Sequence, residues 1–192
     1  MGELFEWLII IGLLFLGAYT MYAIKNEKND YLKTAVTFEF HGLRFMVPRW
    51  WTKTLDEKNL VSFERKDTRY DWIAKFTSFI DESQTPLEKL FKEKIKELGL
   101  IFDQDSSVIY NPTDFKKNKY VGEGKLEIVR IEGTATENEI ERVYFDGVLI
   151  RNINSKECLF CSSRSGVLNG GIEGPFFEEA VINFEMISPE II

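Results

Sequence analysis

The chain has one histidine, His41, and two cysteines, Cys158 and Cys161. That scarcity argues against most metal and nucleophilic chemistry. A structural zinc site takes four Cys or His ligands, and no second ligand pair exists here. Acyl transfer needs a nucleophile, a base and an orienting group. Nothing in the sequence brings His41 to either thiol, so His41, followed by Gly42, reads as a turn residue. The cysteines lie in C-L-F-C within a strand-like run from Glu157 to Arg164. Residues three apart on a strand face opposite ways, about 10 Å apart, and a disulfide needs Cα atoms within about 7 Å. Two free thiols packed as small apolar groups are expected, with a redox or zinc role as the alternative; free thiols suit a reducing compartment.

Positive charge is absent before Lys25. The 24 basic and 29 acidic residues from Lys25 onward leave that part at −5, within a formal charge of −7 for the whole chain. A phosphate-tracking surface is normally basic, so no nucleic-acid partner is expected. Charge of either sign is missing from Trp7 to Ile24. Those 18 residues span about 27 Å as a helix, close to the thickness of a bilayer's hydrocarbon. Trp7 at one end and Tyr19 and Tyr22 at the other suit the two interfaces.

A single-pass transmembrane anchor over residues 1–24 is therefore expected, in contact with lipid through residues 7–24. A cleaved signal would open with basic residues and end with small ones; this segment opens with Glu3 and Glu6 and closes on Tyr19-Thr20-Met21-Tyr22-Ala23. Gly2 is not followed by the Ser or Thr at position 6 that myristoylation prefers. Lys25, Lys28 and Lys33 after the helix favour a cytoplasmic over an exported soluble domain. Gly12, Gly17 and Ala18 are candidate positions for packing against another transmembrane helix.

Residues 25–34 read as a polar linker and 35–192 as one soluble domain. Alternation of apolar and polar residues predicts strands over 36–40, 43–47, 60–64 and 72–80. Thr85-Pro86-Leu87-Glu88 reads as a capping box with proline at the first helical position. Leu87, Leu90, Phe91, Ile95 and Leu98 continue it at helical spacing until Gly99. Strand character returns over 107–110, 124–133, 139–152 and 157–163. Lys116, Lys117 and Lys119 read as an exposed loop, more readily solvated than bound to anionic lipid. Residues 169–174 read as a glycine-rich connection, and Pro175 as the opening of a last helix with Phe176, Phe177, Ala180, Val181 and Phe184 on one side. The order predicts an α+β fold, a largely antiparallel sheet with helices packed on it.

Four segments resemble, in order, the Mog1/PsbP-like family: V-P-R-W-W with Pro48 and Trp51, T-P-L-E-K-L from Thr85, E-C-L-F-C-S-S from Glu157, and F-F-E-E-A-V-I-N-F-E-M-I from Phe176. The resemblance covers residues 36–187. It implies a non-enzymatic accessory or binding protein, since one branch of the family assists photosystem II and another binds a small nuclear GTPase. Trp50 departs from the pattern, where relatives carry a small residue, as does the fused apolar helix.

The expected function is thus a non-catalytic accessory subunit of a membrane protein complex, without cofactor. A membrane-tethered small-molecule or lipid-binding module is the alternative, and a thiol-dependent enzyme the third reading. Two adjacent tryptophans do not easily share one core on extended backbone. Trp50, with Arg49 and Lys53, is accordingly the candidate partner contact, against partial burial on a loop. The Gly-rich stretch before Pro175 is a poor phosphate cradle, because Pro175 removes an N–H and Glu173 adds a negative charge. Asp103-Gln104-Asp105 lacks the glycine of a calcium loop, with Val108 in its place.

Overall fold

The structure, a computed structural model, describes residues 2–65, 71–82 and 85–187. The side chains of Lys28 and Lys117, and the last residues of the expected soluble domain, 188–192, lie outside the described residues. The chain divides into two compact units, residues 1–36 and 37–192.

The first unit is helix α1 (Gly2–Thr34). Its segment Glu6–Ala23 is long and apolar enough to cross a membrane, and none of it is buried. The helix does not stop where charge begins, so the polar stretch 25–34 is helical too.

The second unit is α+β, as expected. Strands β1 (Val36–Phe40), β2 (Leu43–Val47) and β11 (Glu185–Met186) form a small sheet in the order β1-β2-β11. The large sheet contains β3 (Trp51–Glu57), β4 (Leu60–Arg65), β5 (Trp72–Ile80), β6 (Leu100–Phe102), β7 (Ile109–Tyr110), β8 (Leu126–Glu137), β9 (Glu141–Asn152) and β10 (Glu157–Gly166). Its order is β3-β4-β5-β10-β9-β8-β6, with β7 beside β8. Its pairings are antiparallel. Helices α2 (Leu87–Glu97) and α4 (Gly170–Ile182) complete the layers, with the short α3 (Lys119–Gly122) between β7 and β8.

The period-2 pattern sorts the strands' side chains into two cores. Phe63, Phe76, Ile128, Val148 and Cys161 face one core, shared with Phe177, Ala180, Val181 and Phe184 of the α4 segment. Val129, Phe145, Leu149 and Cys158 face the other, shared with Leu87, Phe91 and Ile95 of α2. The two cysteines are free and lie in different cores, as their spacing on a strand demands.

Several expectations need correction. The capping box does not form: Pro86 is extended (φ −51°, ψ 131°) and is itself the N-cap, without a side-chain cap bond. Thr85 lies outside the helix, where its carbonyl accepts from Arg151 Nη1 at 2.8 Å. Leu98 is the C-cap and exposed. The lysine loop is a 3-10 turn (Thr113–Lys117) followed by α3. Strands β3 and β6 had no periodic signal, because β3 is an edge strand exposed at most positions and β6 is three residues long.

The glycine-rich connection is helix. The α4 helix begins at Gly170, with Pro175 inside it. A Cβ on Gly170 would lie 2.2 Å from the Tyr144 ring, so glycine here permits close helix–sheet approach. Pro175 withholds the N–H that would bond the Gly171 carbonyl. Gly171 is exposed, so water can satisfy that oxygen.

Candidate functional site

Trp50 and Trp51 stand where a turn enters β3. Trp51 is buried and stacks obliquely on Trp72, ring centres 4.5 Å apart. The Trp72 indole donates to Ser163 Oγ at 2.9 Å. Trp50 is half-buried against the same core, so the two tryptophans share it after all, and Phe176 of α4 meets Trp50 edge to face at 5.1 Å. Both indoles reach one carboxylate. Trp51 Nε1 donates to Glu173 Oε2 at 2.9 Å, and Trp50 Nε1 approaches the same oxygen at 3.4 Å. Arg65 pairs with Glu173 Oε1, and its guanidinium lies 5.6 Å from the Trp50 ring centre.

Glu173 is 1% exposed. A buried carboxylate needs its charge matched and its oxygens hydrogen-bonded. Arg65 supplies the charge, and the guanidinium and two indoles supply the donors. The cluster thus ties the start of α4 to β3 and β4, and fixes Trp50 relative to Phe176. Helical spacing run backwards from Phe184, Val181 and Phe177 places residue 173 on the buried face. That signal is present in the sequence but disguised by the flanking glycines and proline.

Near this cluster, α4 and the turn before it expose apolar side chains. Leu168, in the 3-10 turn just before α4, is 91% exposed, and Ile172 is 37% exposed. Leu168, Ile172 and Phe176 recur every four residues, and Trp50 closes the row. Of the expected contact residues, Arg49 is exposed beside Trp50. Lys53 points its ammonium to Asp56 at 2.9 Å and over Phe38. The cation at Trp50 is therefore Arg65, which sequence reasoning missed along with Leu168 and Ile172.

A second buried polar cluster lies under α4. Arg130 of β8 makes two bonds to Asp146 of β9, at 3.0 and 2.8 Å. It also holds Glu178 of α4 at 2.8 Å and Glu132 at 2.7 Å. Burial pushes the Asp146 carboxyl up to about 7, against the pull of Arg130. Tyr144 donates to Glu132, and burial with that carboxylate raises its phenol.

The remaining sites stay apart. His41 occupies a turn with φ +47° and bonds Glu157 and the Lys58 carbonyl. Burial pushes the Cys158 thiol up to about 11 and raises Cys161 as well. Asp103 is held by Arg142 through two bonds of 2.8 and 2.7 Å, and that guanidinium lowers its carboxyl below the usual value. No cluster of metal ligands occurs among the described residues. On α1, Gly12 and Gly17 have open space around them. They lie about 140° apart around the axis, so with Ala18 they do not form one continuous small-residue face.

The fold defines a class: the second unit has a Mog1/PsbP-like α+β fold. The Ran-binding protein Mog1p of Saccharomyces cerevisiae aligns over 80% of this chain and 95% of its own, at 9% identity and TM-score 0.51. Cyanobacterial PsbP (CyanoP) from Synechocystis sp. PCC 6803 aligns over 80% of this chain and 92% of its own, at 10% identity and TM-score 0.53. At that identity the likeness is one of fold. No family model matches the chain, and no curated protein does.

Proposed function

We propose that this chain is a membrane-tethered, non-catalytic interaction module. In this reading α1 anchors the chain in a bilayer and the α+β domain contacts a protein of a membrane complex. The observation that carries it is the apolar row of Leu168, Ile172, Phe176 and Trp50. Its aromatic members are held by the buried Glu173–Arg65 pair, and Arg49 stands at its edge. Exposed apolar side chains beside a fixed aromatic anchor are what a protein contact uses. Tethering raises the domain's effective concentration at a membrane partner.

Two further observations support the reading. One structural neighbour is a Ran-binding protein. Both thiols are fully buried with raised pKa, the opposite of a reactive cysteine.

The test is a pull-down from native membranes through a C-terminal tag, with Leu168→Glu and Trp50→Ala in parallel. Leu168→Glu alters only an exposed side chain, so loss of a stoichiometric partner with unchanged thermal stability supports the reading. A partner indifferent to both substitutions moves the contact off this row. Absence of any partner rejects the interaction role.

A further inference from the structure

A cleft of about 270 Å³ opens between the small and large sheets, where β1 turns into β2 and β9 turns into β10. Leu43, Leu126, Ile150 and Leu159, each at most 7% exposed, line its apolar side. His41, Asn152 and Glu157 line the other. It lies away from the tryptophan cluster and shares no residue with it.

The polar side selects a head group. The Lys58 carbonyl oxygen only accepts, so His41 Nε2, 2.8 Å away, carries a proton. Nδ1 stands 2.6 Å from Glu157 Oε1. Both ring nitrogens are thus engaged. Ser78 Oγ adds to the same Glu157 oxygen at 3.4 Å. Asn152 Oδ1 accepts from the N–H groups of Asn154 and Ser155. Among the described residues this leaves Glu157 Oε2 and Asn152 Nδ2 without a hydrogen bond. One acceptor and one donor therefore remain beside an apolar wall. Both flanking turns hold a non-glycine residue at positive φ, His41 at +47° and Lys156 at +58°.

We propose that this cleft binds a small uncharged molecule with an aliphatic body and a head that both donates and accepts, an alcohol or a primary amide. The head donates to Glu157 Oε2 and accepts from Asn152 Nδ2, and the body lies along the wall that Leu43, Leu126, Ile150 and Leu159 line. The volume lies just under that of drug-sized clefts, roughly 300–1,000 Å³, so the occupant is small. A carboxylate would face the Glu157 oxygen. An ammonium, which only donates, would leave the Asn152 amide unanswered.

The test uses the full chain in lipid nanodiscs, with isoleucine and methionine methyls labelled for NMR. The probes are 1-hexanol, hexanamide, hexanoate and hexylamine. Hexanol and hexanamide are expected to give saturable shifts at Ile150 and Met186. Hexanoate and hexylamine should bind about tenfold more weakly, the cost of one mispaired polar group. Ser155→Trp, at an exposed position on the cleft's rim, should abolish the shifts. Glu157→Gln, which adds a donor, should bring hexanoate level with hexanol. Equal shifts from all four probes would overturn the head-group assignment. Shifts confined to α1 methyls such as Ile9 and Met21 mean partition into the bilayer only and overturn the site, as does binding that survives Ser155→Trp.

Discussion

Under α4, the large sheet presents Trp51, Phe63, Phe76 and Trp72 together with two buried ion clusters, Glu173–Arg65 and Asp146–Arg130. Under α2, it presents Val129, Leu149, Cys158 and Phe160 against Leu87, Phe91 and Ile95. The α2 helix is thus held chiefly by apolar burial, which is strong but tolerant of small shifts. The α4 helix is also pinned by charge: the buried Glu173 in its first turn to Arg65 of β4, and the partly exposed Glu178 near its middle to the buried Arg130 of β8. Directional bonds set its position along the sheet, and with it the row Leu168, Ile172, Phe176 and Trp50. The face that carries the candidate contact is the one whose geometry is fixed by polar pairing.

The comparison can be broken by removing one anchor. Glu173→Ala removes the buried carboxylate that Arg65 Nη1 and the Trp51 indole bond. It should cost ~3–5 kcal/mol of unfolding free energy, measured by denaturant titration of tryptophan fluorescence. A loss below ~1 kcal/mol would mean α4 is held by apolar contact alone, as α2 is. On the other face, Leu87→Ala should cost ~2–5 kcal/mol in the same titration through lost burial and the cavity left behind.

Gly170→Ala should cost ~1–3 kcal/mol, because the new methyl meets the Tyr144 ring and α4 must lift. The same substitution at Gly171, with open space around it, should not destabilise the protein and serves as the control.

A smaller effect is expected from pH. Asp146 has a folded pKa of about 7 against an ordinary 3.8, so between those values the folded state binds more protons than the unfolded. Its contribution is present below about pH 4 and is lost as pH rises through 7. Stability should therefore drift down from pH 5 to pH 8. Asp146→Asn should flatten that drift, while Leu87→Ala should leave it in place; thermal melts across the range read both.

The smallest effect on stability is expected at Leu168→Glu, within about 0.5 kcal/mol, since the side chain is almost fully exposed. Its effect on a partner should be the largest of the set.

Much of the fold was legible because period is a local property. The strand-like run from Trp72 to Ile80 has the limits of the strand it forms, and the C-L-F-C spacing placed the cysteines in separate cores. The apolar stripe of α2 followed from its 3.6-residue repeat. The candidate site was half legible. The pair of adjacent tryptophans marked the place, but the expectation that they would not share one core failed, because the turn before β3 lets both indoles reach Glu173, which was hidden. Arg65 is 108 residues from Glu173, and no local pattern encodes such a pairing.

The sequence by itself determined the uncharged helix, the strand and helix periods and the scarcity of histidine and cysteine, since none of these needs a contact between distant parts of the chain. Tertiary structure alone decided that α4 starts at Gly170, five residues before Pro175, because the missing side chain matters only when Tyr144 lies against it. It also decided that Glu173 is a buried anchor rather than a surface charge. Burying a carboxylate is tolerable only where a cation and N–H donors converge, and that convergence is made by strands far apart in sequence.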